Sequence, residues 1–222
     1  MDRKKCAFVL IGPPGSGKTT VARALAADSR IAVIETGNLL GAEVKRDTAL
    51  GREITPYKAA GDLVPSGLVK RVISAELGKV DGRAILFDGF PRCARQVELM
   101  FELLKERHLT LCAVFILNVE PEIVMKRLSG RRLCQKCGAL YNIYKNPPRL
   151  EGKCDQCGGE LIQRADDKPE VVMRRFENYE RETVPVVNLF RKEHKDVCWE
   201  VSAEASPEEV LDRVRQGLEL AK

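Results

Sequence analysis

The sequence predicts an α/β fold: a five-stranded parallel sheet held between two layers of helices, carrying a helical insertion and a small cysteine-rich ribbon. Three observations lead there. Short apolar runs of β type alternate with helical patterns along most of the 222 residues, as expected where crossover helices join parallel strands. The segment Gly12-Pro13-Pro14-Gly15-Ser16-Gly17-Lys18-Thr19 follows the apolar run 6–11 directly and precedes a helical pattern over 21–27, the spacing and flanks of a P-loop. Two Cys-x-x-Cys pairs interrupt the alternation between residues 133 and 164. The fold class is therefore a three-layer α/β/α arrangement of the P-loop NTPase type.

Composition narrows the setting. Hydrophobic residues make up 44% and charged residues 31%, ordinary for a globular chain with a sizeable core. No apolar run approaches the roughly 20 residues a membrane span requires. The charged start Met1-Asp2-Arg3-Lys4-Lys5 leads into the P-loop without a cleavage-site pattern, so a cytoplasmic protein is expected. The net charge of +5 arises from 37 basic and 32 acidic residues spread along the chain. A nucleic-acid surface would concentrate them in a stripe, so the excess fits a cleft that holds polyphosphate better.

Taken in order, residues 6–11 form a buried first strand, residues 18–27 a helix, and residues 31–34 a second strand closed by Glu35-Thr36-Gly37. Residues 38–80 read as helical and charged, with breaks at Gly41, Gly51, Pro56, Gly61 and Pro65, too long for a simple crossover. Part of this stretch should project. Residues 84–87 are a third strand, 96–106 a helix, 111–117 a fourth strand and 121–128 a helix that ends at Gly130-Arg131-Arg132. Pro169 opens a long helix to about Val184, with Pro185 kinking its continuation. Residues 197–201 are the fifth strand, and Pro207 sits in the first turn of a terminal helix.

The P-loop carries the chemistry. Its glycines let consecutive backbone N–H groups face a phosphate, and the helix that follows adds the positive end of its dipole. Lys18 supplies a point charge for the outer phosphates, and the Thr19 hydroxyl suits Mg²⁺. A plain strand-to-helix turn would need neither. Asp88, at the C-terminal end of the third strand, is placed to orient Mg²⁺ or its waters, and it can also cap the next helix.

Cys134-x-x-Cys137 and Cys154-x-x-Cys157 are separated by 16 residues, and glycine follows each pair. This is the spacing of a tetrahedral four-cysteine zinc site, whose filled coordination sphere makes it structural. The alternatives are a redox pair or two disulfides. A segment of about 30 residues has too small a core of its own, so the metal would supply much of its stability. Metal fits the cysteine usage better than oxidation: Cys6, Cys112 and Cys198 read as packing residues, and His108 and His194 as surface residues.

Together the P-loop, Thr36-Gly37, Leu63-Val64-Pro65, Asp88-Gly89-Phe90-Pro91-Arg92, Gln96, Gly130-Arg131-Arg132, the four cysteines and Arg164-Ala165-Asp166-Asp167 resemble adenylate kinases with a long, zinc-containing lid. The resemblance spans nearly the whole chain, and Asp-Gly-Phe-Pro-Arg is specific to nucleoside monophosphate kinases. It implies a core of residues 1–34, 65–130 and 166–222, a nucleoside-monophosphate-binding insertion at 35–64 and a lid at 131–165, hinged at Gly130 and Asp166. It implies transfer of a phosphoryl group from Mg·ATP to AMP, in a monomer. Gly12, Pro14, Gly15, Ser16, Gly17, Lys18, Thr19 and Thr20 would hold ATP, with Arg127 and Tyr141 near its adenine. Thr36, Gly37, Val64, Gly89 and Gln96 would line the AMP site. Arg92 would hold the acceptor phosphate, Arg131 and Arg164 would close over the transferring group, and Arg175 would bridge from the core. The Asp166-Asp167 pair would orient the arginines.

Three positions depart from the family pattern. Gly41 stands where an arginine that grips the monophosphate is usual, and Lys45, Arg46 or Arg52 could compensate. Ser66-Gly67 replaces an acidic pair, and Thr19-Thr20 replaces Gly-Thr. The first two bear on the acceptor. A kinase of altered acceptor choice is therefore one alternative. A regulator that uses the zinc ribbon to contact nucleic acid is the other; the flanking Arg131, Arg132 and Arg164, expected to face the P-loop, argue against it.

Overall fold

A computed structural model describes residues 6–80, 83–163 and 167–220. The chain runs β1 (Cys6–Ile11), α1 (Lys18–Leu25), β2 (Ile31–Glu35), α2 (Thr36–Lys45), α3 (Ala49–Ala60), α4 (Ser66–Leu77), β3 (Ala84–Asp88), α5 (Ala94–Glu106), β4 (Thr110–Asn118) and α6 (Pro121–Ser129). A ribbon follows, with β5 (Arg131–Cys134), β6 (Leu140–Asn142) and β7 (Leu161–Ile162). The chain then returns through α7 (Pro169–Asn178), a π-helical turn (Tyr179–Thr183), α8 (Val184–Glu193), β8 (Cys198–Ser202) and α9 (Pro207–Leu220).

The main sheet has the order β2-β3-β1-β4-β8, and every pairing in it is parallel. Successive side chains of a strand point to opposite faces. Ala7, Val9 and Ile11 therefore enter one core with residues of α2 to α5 and α8, while Cys6, Phe8 and Leu10 enter a second with α1 and α9. Burial on both faces explains the near-continuous apolar runs that stood for strands in the sequence. After β1 the chain passes to one side of the sheet, and after β3 it crosses to β4 on the other. Ligands bind beside such a reversal, at the C-terminal ends of the strands, where the P-loop lies.

The expected strands and the three-layer order are present. The breaks expected within 38–80 need correction: α2 runs through Gly41, and α3 runs through Gly51 and Pro56. Gly51 is a packing residue, because a Cβ there would collide with the Glu43 carbonyl on α2. Pro56 lies on the exposed side of α3, where water can satisfy the carbonyl it frees. Gly61 does end α3, in the left-handed conformation (φ 75°), and Pro65 precedes α4. The kink expected at Pro185 takes the form of the π-helical turn just before it.

Two further readings are corrected. Cys6 and Cys112 are not separate packing residues; they form a disulfide, with Cα atoms 5.6 Å apart. β1 and β4 are neighbours, and a register shift after Ala7 leaves Cys112 as the extra residue beside it. His194 is half-buried: its ring stacks on Phe101 at 5.2 Å and tilts against Phe190 at 5.7 Å. His108 is exposed, as expected. Among the described residues, no helix is long and apolar enough to cross a membrane.

Candidate active site

The P-loop opens from β1 into a cleft of about 700 Å³. Gly12 is required at its start, because a Cβ there would sit 2.7 Å from the Leu117 carbonyl of β4. Lys18 folds back on the loop, where its Nζ donates to the carbonyls of Gly12 (2.7 Å) and Pro13 (2.8 Å) and to Ser16 Oγ (3.1 Å). Loss of water first, then the nearby Arg92, Arg175 and Arg131, push the Lys18 pKa down to about 7 against the pull of Asp88. One lysine and three arginines from separate elements thus bear on the same cleft, which suits polyphosphate.

Thr19 Oγ1 donates to Asp88 Oδ2 at 2.8 Å, joining the start of α1 to the end of β3. The carboxylate is buried, and Glu35 pairs with the same position from β2. Burial, with Asp88 adding to it, raises the Glu35 pKa. A hydroxyl and carboxylates at the mouth of a P-loop form an oxygen-donor set for a hard cation such as Mg²⁺.

Beyond Asp88 the backbone turns through Gly89, and Arg92 Nε donates to the Gly89 carbonyl at 2.8 Å. The Arg92 N–H donates to Gln96 Oε1 at 2.9 Å, and Thr183 Oγ1 donates to the Arg92 carbonyl at 2.9 Å, so both strands of the turn are braced. Across the cleft, Thr36 Oγ1 is buried with no hydrogen-bond partner. A buried hydroxyl left in that state is costly unless a ligand completes it. Arg131 Nε donates to Asp167 Oδ2 at 2.7 Å, and Arg175 lies 3.5 Å from Asp167 Oδ1. One buried carboxylate therefore holds two cleft arginines.

Every nucleotide-site residue expected from the sequence, Arg164 excepted, lines this one cleft. Arg164 and Asp166 lie outside the described residues. Tyr141 reaches the cleft, but its hydroxyl belongs to the ribbon: it accepts from the Asp155 N–H at 2.8 Å and lies 3.5 Å from Cys154 Sγ. Lys45, Arg46 and Arg52 are exposed and do not line the cleft. The cation beside Gly41 is Lys58, which sequence reasoning missed. It was findable: Gly51, Ile54 and Lys58 share one face of α3 at helical spacing, and Ile54 is fully buried.

The Sγ atoms of Cys134, Cys137, Cys154 and Cys157 lie within 4.8 Å of one another. The closest pairs, Cys134 with Cys157 at 3.5 Å and Cys137 with Cys154 at 3.6 Å, are far too long for disulfides. A tetrahedron with metal–sulfur bonds of about 2.3 Å has edges of ~3.8 Å, so the four thiols fit one metal ion. Hydrogen bonding from Tyr141, then from the Gln156 and Cys157 amides, holds the Cys154 thiol down to about 6, which favours the ligating thiolate.

A P-loop lysine, a hydroxyl–carboxylate pair for a cation and arginines drawn from separate elements around one cleft belong to a nucleotide phosphotransferase. The relationships to known proteins specify it further. The chain belongs to the adenylate kinase family, whose family model matches residues 10–195. It is 38% identical over 208 residues to the adenylate kinase of Pyrococcus abyssi, covering 94% of this chain and 93% of that one. The adenylate kinase of Thermodesulfovibrio yellowstonii is 40% identical over 93% of this chain and 96% of its own. That of Methanocella arvoryzae is 39% identical over 95% and 97%.

Proposed function

We propose that the chain transfers the γ-phosphoryl group of Mg·ATP to AMP, reversibly, giving two ADP. The observation that carries this reading is the convergence of Lys18, Arg92, Arg131 and Arg175 on one cleft beside the Thr19–Asp88 pair. Phosphoryl transfer depends on in-line positioning and charge neutralisation more than on a covalent catalyst. The P-loop amides and Lys18 hold the ATP phosphates, with Thr20 at the same helix start and Arg127 and Tyr141 toward the adenine. Thr36, Gly37, Val64, Gly89 and Gln96 line the acceptor side, and Thr36 Oγ1 gains its missing partner there. Arg92 and Arg175 hold the acceptor phosphate. Arg131 and Arg164 cover the transferring group.

Thr19 and Asp88 would hold Mg²⁺, which when bound supplies charge neutralisation at the phosphates. The four cysteines would hold Zn²⁺, a structural ion that stiffens the ribbon. Segments 35–64 and 131–165 act as an acceptor-binding flap and a lid, and their closure keeps water from taking the phosphoryl group. The reading takes the protein as a cytoplasmic monomer. Following the phosphorus resonances of ATP and AMP over time tests the reaction. Conversion of both into ADP by the wild type, and loss of that conversion in Lys18→Ala, is the expected result; ATP loss as free phosphate alone would overturn it.

A further inference from the structure

We propose that Lys58 is the cation that grips the acceptor phosphate, occupying the space that a side chain at position 41 would otherwise fill. The inference rests on the phosphotransfer reading and names a residue which that reading does not contain. Lys58 lies on the inward face of α3 and lines the same cleft as Thr36, Gly37, Arg92 and Gln96. Its Nζ donates to the Gly37 carbonyl at 3.2 Å, which aims it at the start of α2. A Cβ at Gly41 would lie in contact with that Nζ, at 3.6 Å, so the ammonium stands where a longer side chain at position 41 would begin.

Lys45, Arg46 and Arg52, by contrast, do not line the cleft. Arg46 pairs with Glu43, and Arg52 pairs with Asp47 at 3.4 Å while donating to the Asp47 carbonyl at 2.7 Å. Both are exposed, as is Lys45. A phosphate monoester would offer Lys58 a charge-assisted bond, stronger than the one it makes to the neutral Gly37 carbonyl. Its flexible stem lets it turn from one to the other. The helix hairpin therefore contributes a lysine from α3 rather than a side chain from α2.

The test is a comparison of Lys58→Met, Lys58→Arg and the double variant Gly41→Arg/Lys58→Met with the wild type. KM for AMP is measured at saturating Mg·ATP, KM for ATP at saturating AMP, and AMP binding by calorimetric titration. Loss of one charge-assisted contact should raise KM and Kd for AMP about ten- to a hundredfold in Lys58→Met, with KM for ATP held within about twofold. Lys58→Arg should keep most of the affinity, and the double variant should regain part of it. A packing role alone would not divide the two KM values in this way. Unchanged AMP affinity in Lys58→Met overturns the proposal while leaving the reaction intact. Absence of ADP formation by the wild type strikes the phosphotransfer reading instead, and the titration still decides the role of Lys58.

Discussion

Arg131 and Asp167 meet side by side across the root of the ribbon, Nε donating to Oδ2 at 2.7 Å and the second guanidinium nitrogen donating to Oδ1. The carboxylate is only 1% exposed, and Arg175 approaches it from α7. A single acid thus sets the positions of one arginine at the ribbon and one in the core. Asp167→Asn should lower unfolding stability by about 2 kcal/mol, less than a fully buried pair because Arg131 keeps contact with water. It should also reduce kcat at least tenfold, since both guanidinium groups lose their fixed direction. Denaturant titration and steady-state kinetics read the two effects; an unchanged kcat would contradict the positioning role.

Lys18 should make nucleotide binding pH-dependent. Its folded-state pKa of about 7 lies well below the ordinary 10.5. Between those values the unfolded chain binds the extra proton, so this group's contribution to stability rises with pH across that window, and the cost of holding it charged is fully present below about pH 7. A bound triphosphate restores the charge. Titrating ATP at about pH 8 in buffers of different ionisation heat should therefore show uptake of close to one proton, absent in Lys18→Met. Equal heats in all buffers would contradict the shift.

The four-cysteine cluster should carry about one equivalent of zinc in purified protein. Cys154→Ser, or removal of the metal with a strong chelator, should melt the ribbon at lower temperature and depress turnover while leaving the parallel core folded. Metal analysis and a thermal scan followed by circular dichroism check this. Less than about half an equivalent of any tetrahedral metal would contradict the assignment.

The Thr19–Asp88 bond predicts a specific cation phenotype. Asp88→Asn should raise the Mg²⁺ concentration needed for half-maximal rate and lower kcat about a hundredfold, with ATP still bound. Rates measured across a Mg²⁺ series distinguish this from a loss of nucleotide affinity, which would move KM for ATP instead.

The parts of this site legible in the sequence are those whose chemistry is local. Lys18, Thr19 and the P-loop glycines occupy one strand–turn–helix unit, and the paired cysteines fix their own knuckles, so residue type and spacing were enough. Asp88 was legible because it ends an apolar run. Long-range relationships were not. Cys6 and Cys112 are 106 residues apart and meet through the neighbouring positions of β1 and β4 and a register shift that composition does not record. Lys58 reaches Gly41 only because α2 and α3 fold against each other, with Gly51 admitting the close approach. Gly51 looked like a break for the same reason: its role lies in the packing between α2 and α3, not in the local chain.

The most direct test of the account is diphosphate formation from Mg·ATP with AMP, dAMP, GMP, CMP and UMP, each acceptor varied in turn. Rapid turnover confined to AMP and dAMP, with two ADP formed for each ATP and AMP consumed, is the predicted result. Preference for another monophosphate, or no acceptor-dependent turnover at all, would contradict it.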